Sequence, residues 1–463
     1  MGLTIREYLN DIKGKKVAVL GIGVSNTPLI HMLLRAGVEV TACDRRRRED
    51  FDGRVDELES LGANVCLGED YLDHLEGQDV IFRTPGMRPD LPQLTAAVER
   101  GSVLTSEMEV FFQVCPCPII GVTGSDGKTT TTTIIAELLK AAGKTVYLGG
   151  NIGKPLLADV KMMEPSDYAV VELSSFQLMT MTRSPHIAVV TNLAPNHLDV
   201  HKSMEEYIAA KKNIFLHQAQ ADRVILNADN AITASFAPDA PGSVTLFSRQ
   251  SEPAGDAVFF RDGAIWRKDG GEARPILRRE EILLPGDHNV ENYMAAIAAV
   301  NGLVPEDIIR SFAAKFSGVE HRIELVRTLN GVRYYNDSIA SSPTRTMAGL
   351  KCFPEKVILI AGGYDKHIPF DDLGPAITTY VKRLVLTGNT AQKIRKAVEA
   401  APDYAEGTPI IEEYDDFQEA VLAAHRAARA GDVVLLSPAC ASFDKFRNFM
   451  ERGNAFKRIV QEL

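Results

Sequence analysis

Short apolar runs, each stopping at glycine, asparagine or a carboxylate, alternate along the chain with longer segments whose apolar residues return at three- and four-residue steps. Runs of the first kind read as strands and segments of the second as helices. Their alternation predicts mostly parallel sheets with ligands gathered at the carboxyl ends of the strands. KKVAVLGIG (15–23) predicts a buried strand, followed by a helix over 25–36 and a second strand from Val38 to Asp44, with Asp79 to Thr84 and the turn Pro85-Gly86 beside them. The rhythm continues through Ile119, Ile120 and Val122, then Thr145 to Leu148, Tyr168 to Leu173, Ile187 to Asn192 and Arg223 to Asn227. Ala257 to Trp266, broken at Asp262-Gly263, reads as a β-hairpin. Val332 to Tyr335, Lys356 to Ile360 and Asp432 to Leu436 form a third group, each ending in a polar turn.

A chain of 463 residues is too long for one core, and three strand groups fit three α/β domains. Hydrophobic residues at 45% and charged residues at 24% give the balance of a soluble globular protein. The 51 basic and 61 acidic residues leave a net charge of -10, so we expect no nucleic-acid or membrane partner and assign any bound anion to local cationic sites. No apolar run is long enough to span a bilayer, and MGLTIREYLNDIKGKKVAVLG has acids ahead of its apolar stretch and no small-residue cleavage site. We expect a cytoplasmic protein and a monomer. The six cysteines are scattered, which suits reduced thiols; Cys115-Pro116-Cys117 lacks the second pair that a metal site needs.

The central stretch is PIIGVTGSDGKTTTTTI (118–134), an apolar strand that turns through Gly124, Ser125, Asp126 and Gly127 into a helix opening at Lys128. Such a turn is a phosphate cradle: backbone N–H groups converge on an anion, the helix N-terminus adds positive partial charge, Lys128 supplies a cation and the Thr129 hydroxyl can reach magnesium. The glycine spacing departs from the usual P-loop, so this is a variant loop. Upstream, Gly21-Ile-Gly23 lacks a third dinucleotide glycine, because Asn26 stands there; Asp44 still ends a strand where an acid can accept from a ribose. A nucleotide other than NAD would fit, with a nucleotide-free domain as the plain alternative. Arg45 to Arg48 is a solvated face, or a phosphate contact through Arg45.

Asn151, Glu172 and His197 all fall at strand ends near the phosphate loop, and Glu172 is the first candidate for a magnesium ligand. In the helical pattern of 203–217, Lys211 lies on the apolar stripe, where a lysine must lose its charge, find a partner, snorkel or be modified, for instance by carbon dioxide. Asn289 and Asn292 share a helix face and suit adenine or ribose, or serve as solvated amides. Arg322 and Asp337 suit a triphosphate with its ribose or metal, and Lys366 a carboxylate; singly, each is more commonly a surface group.

In order along the chain, GVTGSDGKTT, GGNIGKP, ELSSFQL, NHLD, YIAAK, GDHNVEN, HRIE, YNDS, GGYDK and SPACASFDKFRNFMERGNAF resemble the Mur ligases, ATP-dependent enzymes that extend the peptide of the peptidoglycan precursor. The closing SPACASFDKFRNF and YYNDSIAS are similar to the branch that joins D-glutamate to UDP-N-acetylmuramoyl-L-alanine through an acyl phosphate. A DNPR motif, expected of the enzyme adding the third residue, is absent. The resemblance implies a Rossmann-like UDP-sugar domain over 1–106, a central P-loop-type ATPase domain over 107–318 and a Rossmann-like amino-acid domain over 319–463, with hinges near 107 and 318 and an open form before substrates bind. It implies ATP on Gly124 to Thr130, Asn289, Asn292, Arg322 and Asp337, and one magnesium on Thr129 and Glu172. His197 and a carbamylated Lys211 would hold a second. UDP would lie on Val24, Ser25, Asp44, Arg45 and Thr84, with Asn151 and His197 nearer the muramoyl-alanine, and D-glutamate on Ser341, Lys366, Ser442, Phe443 and Phe449. Two positions depart from the family pattern: Ile339 stands where lysine is common, and Asp126 where asparagine is. The alternatives are a dehydrogenase, which leaves the phosphate loop unexplained, a non-catalytic sensor, and a sibling ligase such as another Mur enzyme or a folylpolyglutamate synthetase.

Overall fold

The computed structural model describes residues 3–194, 201–366 and 368–463. The chain folds as two compact units, one of Met1–Arg279 with Val290–Phe312 and the other of Glu280–Asn289 with Ala313–Leu463. The first unit holds two sheets and the second holds one.

The first sheet uses β1 (Lys16–Leu20), β2 (Glu39–Asp44), β3 (Asn64–Leu67), β4 (Val80–Phe82) and β5 (Val103–Thr105). They pair in the order β3-β2-β1-β4-β5, all parallel, which is the Rossmann arrangement. Its strands are apolar throughout because both faces are covered: Val17 and Val19 pack into one core, Ala18 and Leu20 into another. The helix that follows β1 begins at Thr27 with Asn26 as its cap. Asn26, standing where a dinucleotide fingerprint has glycine, donates from Nδ2 to the Leu20 carbonyl at 2.9 Å and fastens the turn to its own strand.

The second sheet runs through β6 (Ile119–Thr123), β7 (Val146–Gly150), β8 (Tyr168–Glu172), β9 (Ile187–Val190), β10 (Arg223–Asn227), β11 (Ser243–Ser248), β12 (Ala257–Arg261), β13 (Ala264–Asp269) and β14 (Glu272–Arg278). The order is β14-β13-β12-β11-β10-β9-β6-β8-β7. The strands from β7 to β12 are parallel, and the hairpin β12–β13 and its neighbour β14 close one edge antiparallel. The strand expected to reach Asn192 stops at Val190, because the Asn192 carbonyl accepts from Ser125 N and leaves the ladder for the phosphate loop. The helix expected over 203–217 ends at Lys212, and the remainder continues as turns such as Ile214 N to Lys211 O. Both sheets share one apolar core, and Arg83, buried after β4, donates to Phe176 O and Thr180 Oγ1 in the second layer.

The second unit is built on β15 (Glu324–Leu329), β16 (Val332–Asn336), β17 (Val357–Ala361), β18 (Val381–Leu386), β19 (Ile410–Glu413) and β20 (Val433–Leu436), in the order β15-β16-β20-β17-β18-β19. Only β15 runs antiparallel. Alternate residues of β17 point into opposite cores: Val357, Leu359 and Ala361 into one, Ile358 and Ile360 into the other. Among the described residues no helix is long and apolar enough to cross a membrane.

Candidate active site

The phosphate loop connects β6 to the helix Lys128–Ala141. Gly124 and Gly127 have φ of 149° and 76°, and a Cβ would come within 1.9 Å of Thr191 Oγ1 at the first and 2.4 Å of Asn292 Oδ1 at the second. Only glycine fits between these neighbours in that backbone conformation. The loop is braced from behind. Ser125 donates its hydroxyl to Ala194 O at 2.9 Å and lies 3.0 Å from Tyr207 OH, while Asp126 N donates to Asn192 Oδ1 and leaves its carboxylate exposed. Lys128 Nζ reaches Ser125 O at 2.8 Å. Thr130 is buried in the first turn, and Thr131 donates to Asn292 Oδ1 at 3.2 Å.

Glu172 ends β8 and is buried; its Oε2 accepts from Thr129 Oγ1 at 2.7 Å and its Oε1 from Asn151 Nδ2 at 2.8 Å. The parallel sheet therefore brings three of the sequence-picked residues into one chain of contacts beside the loop. A hydroxyl and a carboxylate are hard oxygen donors of the kind magnesium takes, and the glycine cradle leaves room for phosphate, so the residues fit both groups. Among the described residues there is no group of three or more His, Cys, Asp or Glu side chains placed to hold a metal ion. His197 lies outside the described residues.

Lys211, on the helix Met204–Lys212, is 2% exposed and donates to Thr123 Oγ1 at 2.8 Å and Gly124 O at 3.0 Å. Burial, helped by the nearby Lys128 cation and opposed by Glu172, pushes its pKa well below the ordinary lysine value. Burial under the phosphate loop thus disfavours the charged form of this amine. Sequence reasoning missed its neighbours. His201 is buried, with Nε2 2.9 Å from Ser175 Oγ, its ring stacked on Phe176 and edge-on to Tyr207, the residue that braces Ser125. The available signal was Tyr207 on the same helical stripe as Lys211, with His201 just ahead of the cap Ser203.

In the first sheet, Val24 and Ser25 are exposed in the turn after β1, and Thr84 is half-buried after β4. Asp44 is committed: Oδ2 accepts from Ile22 N at 2.7 Å, and both oxygens take Arg46. Burial would raise this carboxyl, but the hydrogen bonds from Arg46 and Ile22 outweigh it and hold the pKa below normal. Arg45, the arginine singled out from the sequence, faces the exposed Glu69; Arg46 is the one joined to Asp44.

The unit boundary falls inside the helix Asp287–Ala299, leaving Asn289 in the second unit and Asn292 in the first. Asn289 donates from Nδ2 to Pro285 O at 2.7 Å. Arg322 sits between two left-handed non-glycine residues, His321 at φ 64° and Ile323 at φ 45°, a strained turn held because Asp337 Oδ1 accepts from Ile323 N and Asn336 Nδ2 lies 2.9 Å from His321 Nδ1. Asp337 also accepts from Ser437 Oγ at 2.8 Å, and complete burial raises its pKa to about 7 against those bonds and the Arg322 charge. Ser341 follows in the same loop as Asp337. Ser442 is buried, Phe443 is 60% exposed and packs edge-on against Tyr364 at 5.8 Å, and Phe449 meets the buried His321 ring at 5.9 Å. Lys366 is exposed two residues beyond Tyr364.

A glycine cradle at a helix N-terminus with a hydroxyl and a buried carboxylate beside it, at the carboxyl edge of a parallel sheet, defines a nucleotide-binding α/β protein of the phosphate-loop class. Three family descriptions match it in sequence: the Mur ligase MurD-like N-terminal domain over 15–106, the Mur ligase middle domain over 122–300, and the Mur ligase glutamate ligase domain over 321–440. The chain belongs to the Mur ligase family. Curated relatives named UDP-N-acetylmuramoylalanine--D-glutamate ligase are 54% identical in Acetivibrio thermocellus and 51% in Ruminiclostridium cellulolyticum, each covering 100% of both chains. In fold, the chain is similar to UDP-N-acetylmuramate-alanine ligase MurC from Thermotoga maritima, at a TM-score of 0.58 and 19% identity, covering 97% of this chain and 99% of that one.

Proposed function

We propose that the chain is an ATP-dependent amide ligase that joins D-glutamate to UDP-N-acetylmuramoyl-L-alanine in peptidoglycan precursor synthesis. One observation carries the catalytic reading: the phosphate loop, Glu172 and the buried Lys211 lie together at the edge of one sheet. The choice of substrates rests on the full-length similarity to ligases of that name.

A carboxylate is a poor electrophile. An oxygen of the alanyl carboxylate attacks the γ-phosphorus of ATP, the bond to ADP breaks, and an acyl phosphate forms. The amine of D-glutamate then adds to the acyl carbon, gives up a proton, and phosphate leaves with its electron pair. None of these steps needs a covalent enzyme group, so the protein acts by placing ligands and neutralising converging anions. Loop N–H groups and Lys128 hold the phosphates. Thr129 and Glu172 would hold magnesium, and a carbamate on Lys211 with His197 would hold a second ion; bound there, the ions supply positive charge against the phosphates. A neutral amine is the form that adds carbon dioxide, which is why the burial of Lys211 supports its modification. Asp337, Arg322, Asn289 and Asn292 take ATP. Val24, Ser25, Asp44, Arg45 and Thr84 take the uridine diphosphate, Asn151 and His197 the muramoyl-alanine end, and Ser341, Lys366, Ser442, Phe443 and Phe449 the amino acid. The working form is a cytoplasmic monomer that acts on small soluble substrates.

The test is phosphate release from ATP with UDP-N-acetylmuramoyl-L-alanine, comparing D-glutamate with L-glutamate, D-alanine and meso-diaminopimelate. Release dependent on D-glutamate, with the matching product mass, is the expected result. Release with another amino acid keeps the ligase and removes the D-glutamate assignment.

A further inference from the structure

The helix Phe449–Glu462 opens behind the cap Asn448 and carries Arg452 in its first turns. Arg452 is 3% exposed, and each of its guanidinium nitrogens is spent on the oxygens of neighbouring loops. Nε donates to Ser338 Oγ at 3.0 Å, one terminal nitrogen to Ala441 O at 3.0 Å, and the other to Ser338 O at 2.8 Å and Cys440 O at 3.1 Å. Ser338 follows β16 and Cys440 and Ala441 follow β20, two strands that pair side by side. The Ala441 carbonyl also accepts from Tyr364 N at 2.9 Å, which ties in the loop after β17. One side chain thus fixes the loops that carry Ser341 and Ser442 with Phe443, and through the Ala441 carbonyl it is linked to the loop that carries Lys366.

All of these acceptors are neutral. Burial lowers the Arg452 pKa to about 10, with Cys440 and Asp444 opposing, and a group at that value keeps its proton at neutral pH. A guanidinium hydrogen-bonded to carbonyls and a hydroxyl, with the Asp444 carboxylate acting on it only from farther off, keeps much of its positive field in a medium where charges act over longer range than in water. A purely structural peg would need the fork of donors but not the charge.

We infer that Arg452 is a positioning residue that sets the amino-acid loops of the second unit and supplies the buried positive charge that draws a dicarboxylic amino acid to them. The inference rests on the proposed amino-acid site, and no contact between Arg452 and the amino acid is required.

The test uses the full chain as wild type, Arg452→Lys and Arg452→Gln, with KM for D-glutamate, KM for ATP and kcat read separately and thermal melting as a control. Lysine keeps the charge and loses the fork; glutamine keeps donors and loses the charge. The expected result is a KM for D-glutamate raised about tenfold in R452K and about a hundredfold in R452Q, with KM for ATP within about twofold of wild type. Equal changes in both KM values, or no change in the amino-acid KM, would overturn the inference; should R452Q not fold, R452K alone still separates these results. If wild type turns over with a different amino acid, the D-glutamate reading fails by itself and the same comparison is made with that substrate. Turnover with none removes both.

Discussion

The two units place their polar residues in opposite ways. In the first, the phosphate loop is a contiguous stretch whose backbone makes the site, and the side chains that complete it arrive from the ends of neighbouring strands: Thr129, Glu172 and Asn151 form one line of contacts. In the second, the candidate residues stand on separate loops after β16, β17 and β20, and a buried arginine holds those loops in place. The electrostatics differ in the same sense. The first unit pushes the Lys211 pKa down beside a phosphate cradle, whereas the second keeps Arg452 charged and lifts Asp337 toward neutral pH. A backbone site tolerates variation around it but not within it; a loop site depends on whatever fixes the loops.

The largest effect expected from that difference is at Lys128. Lys128→Ala should lower turnover by at least about a thousandfold with an unchanged melting temperature, because it removes charge stabilisation without emptying a core; a near-normal rate would remove the phosphate role. Gly124→Ala should be nearly as damaging to ATP binding, since its Cβ would fall on Thr191 Oγ1, and retained ATP affinity would show the cradle to be less tight than drawn.

Next is Lys211. Stripping dissolved carbon dioxide should lower activity, and in Lys211→Ala a short carboxylic acid should restore part of it; indifference to both treatments would leave Lys211 as a plain buried amine.

Asp337 gives a smaller, signed effect. Its carboxyl is raised by burial from 3.8 to about 7, so between these values the folded chain holds a proton that the unfolded chain has released. Stability from this group is therefore greatest at low pH, falls as pH rises toward 7, and is flat above it. ATP binding should run the other way, strengthening as the carboxylate ionises. Asp337→Asn should flatten part of both slopes, with Glu107, also buried and raised to about 7, retaining a share of the stability slope. Unaltered slopes in that variant would assign the titration elsewhere. The smallest effect belongs to Arg45, exposed and paired with an exposed glutamate: Arg45→Ala should leave stability unchanged within about 1 kcal/mol and raise the KM for the nucleotide-sugar less than Arg46→Ala does.

Local sequence was enough for the parallel α/β architecture, the phosphate loop with Lys128 and Thr129, and the placing of Asn151 and Glu172 at strand ends. These follow from local periodicity, from glycine's freedom at a tight turn, and from the fact that parallel strands all finish on one edge. Motif order along the chain, rather than residue chemistry, led to Ser341, Ser442 and Phe449, because nothing local in a serine or phenylalanine marks it as a ligand contact. It took the folded chain to show that Arg46 and not Arg45 holds Asp44, that Lys211 is buried against the phosphate loop with Tyr207 and His201 beside it, and that Arg452 joins the loops of the second unit. Each of these depends on contacts between residues far apart in the chain or on which of two adjacent side chains turns inward. Such choices are set by the packing of whole elements, and no short window of sequence contains that information.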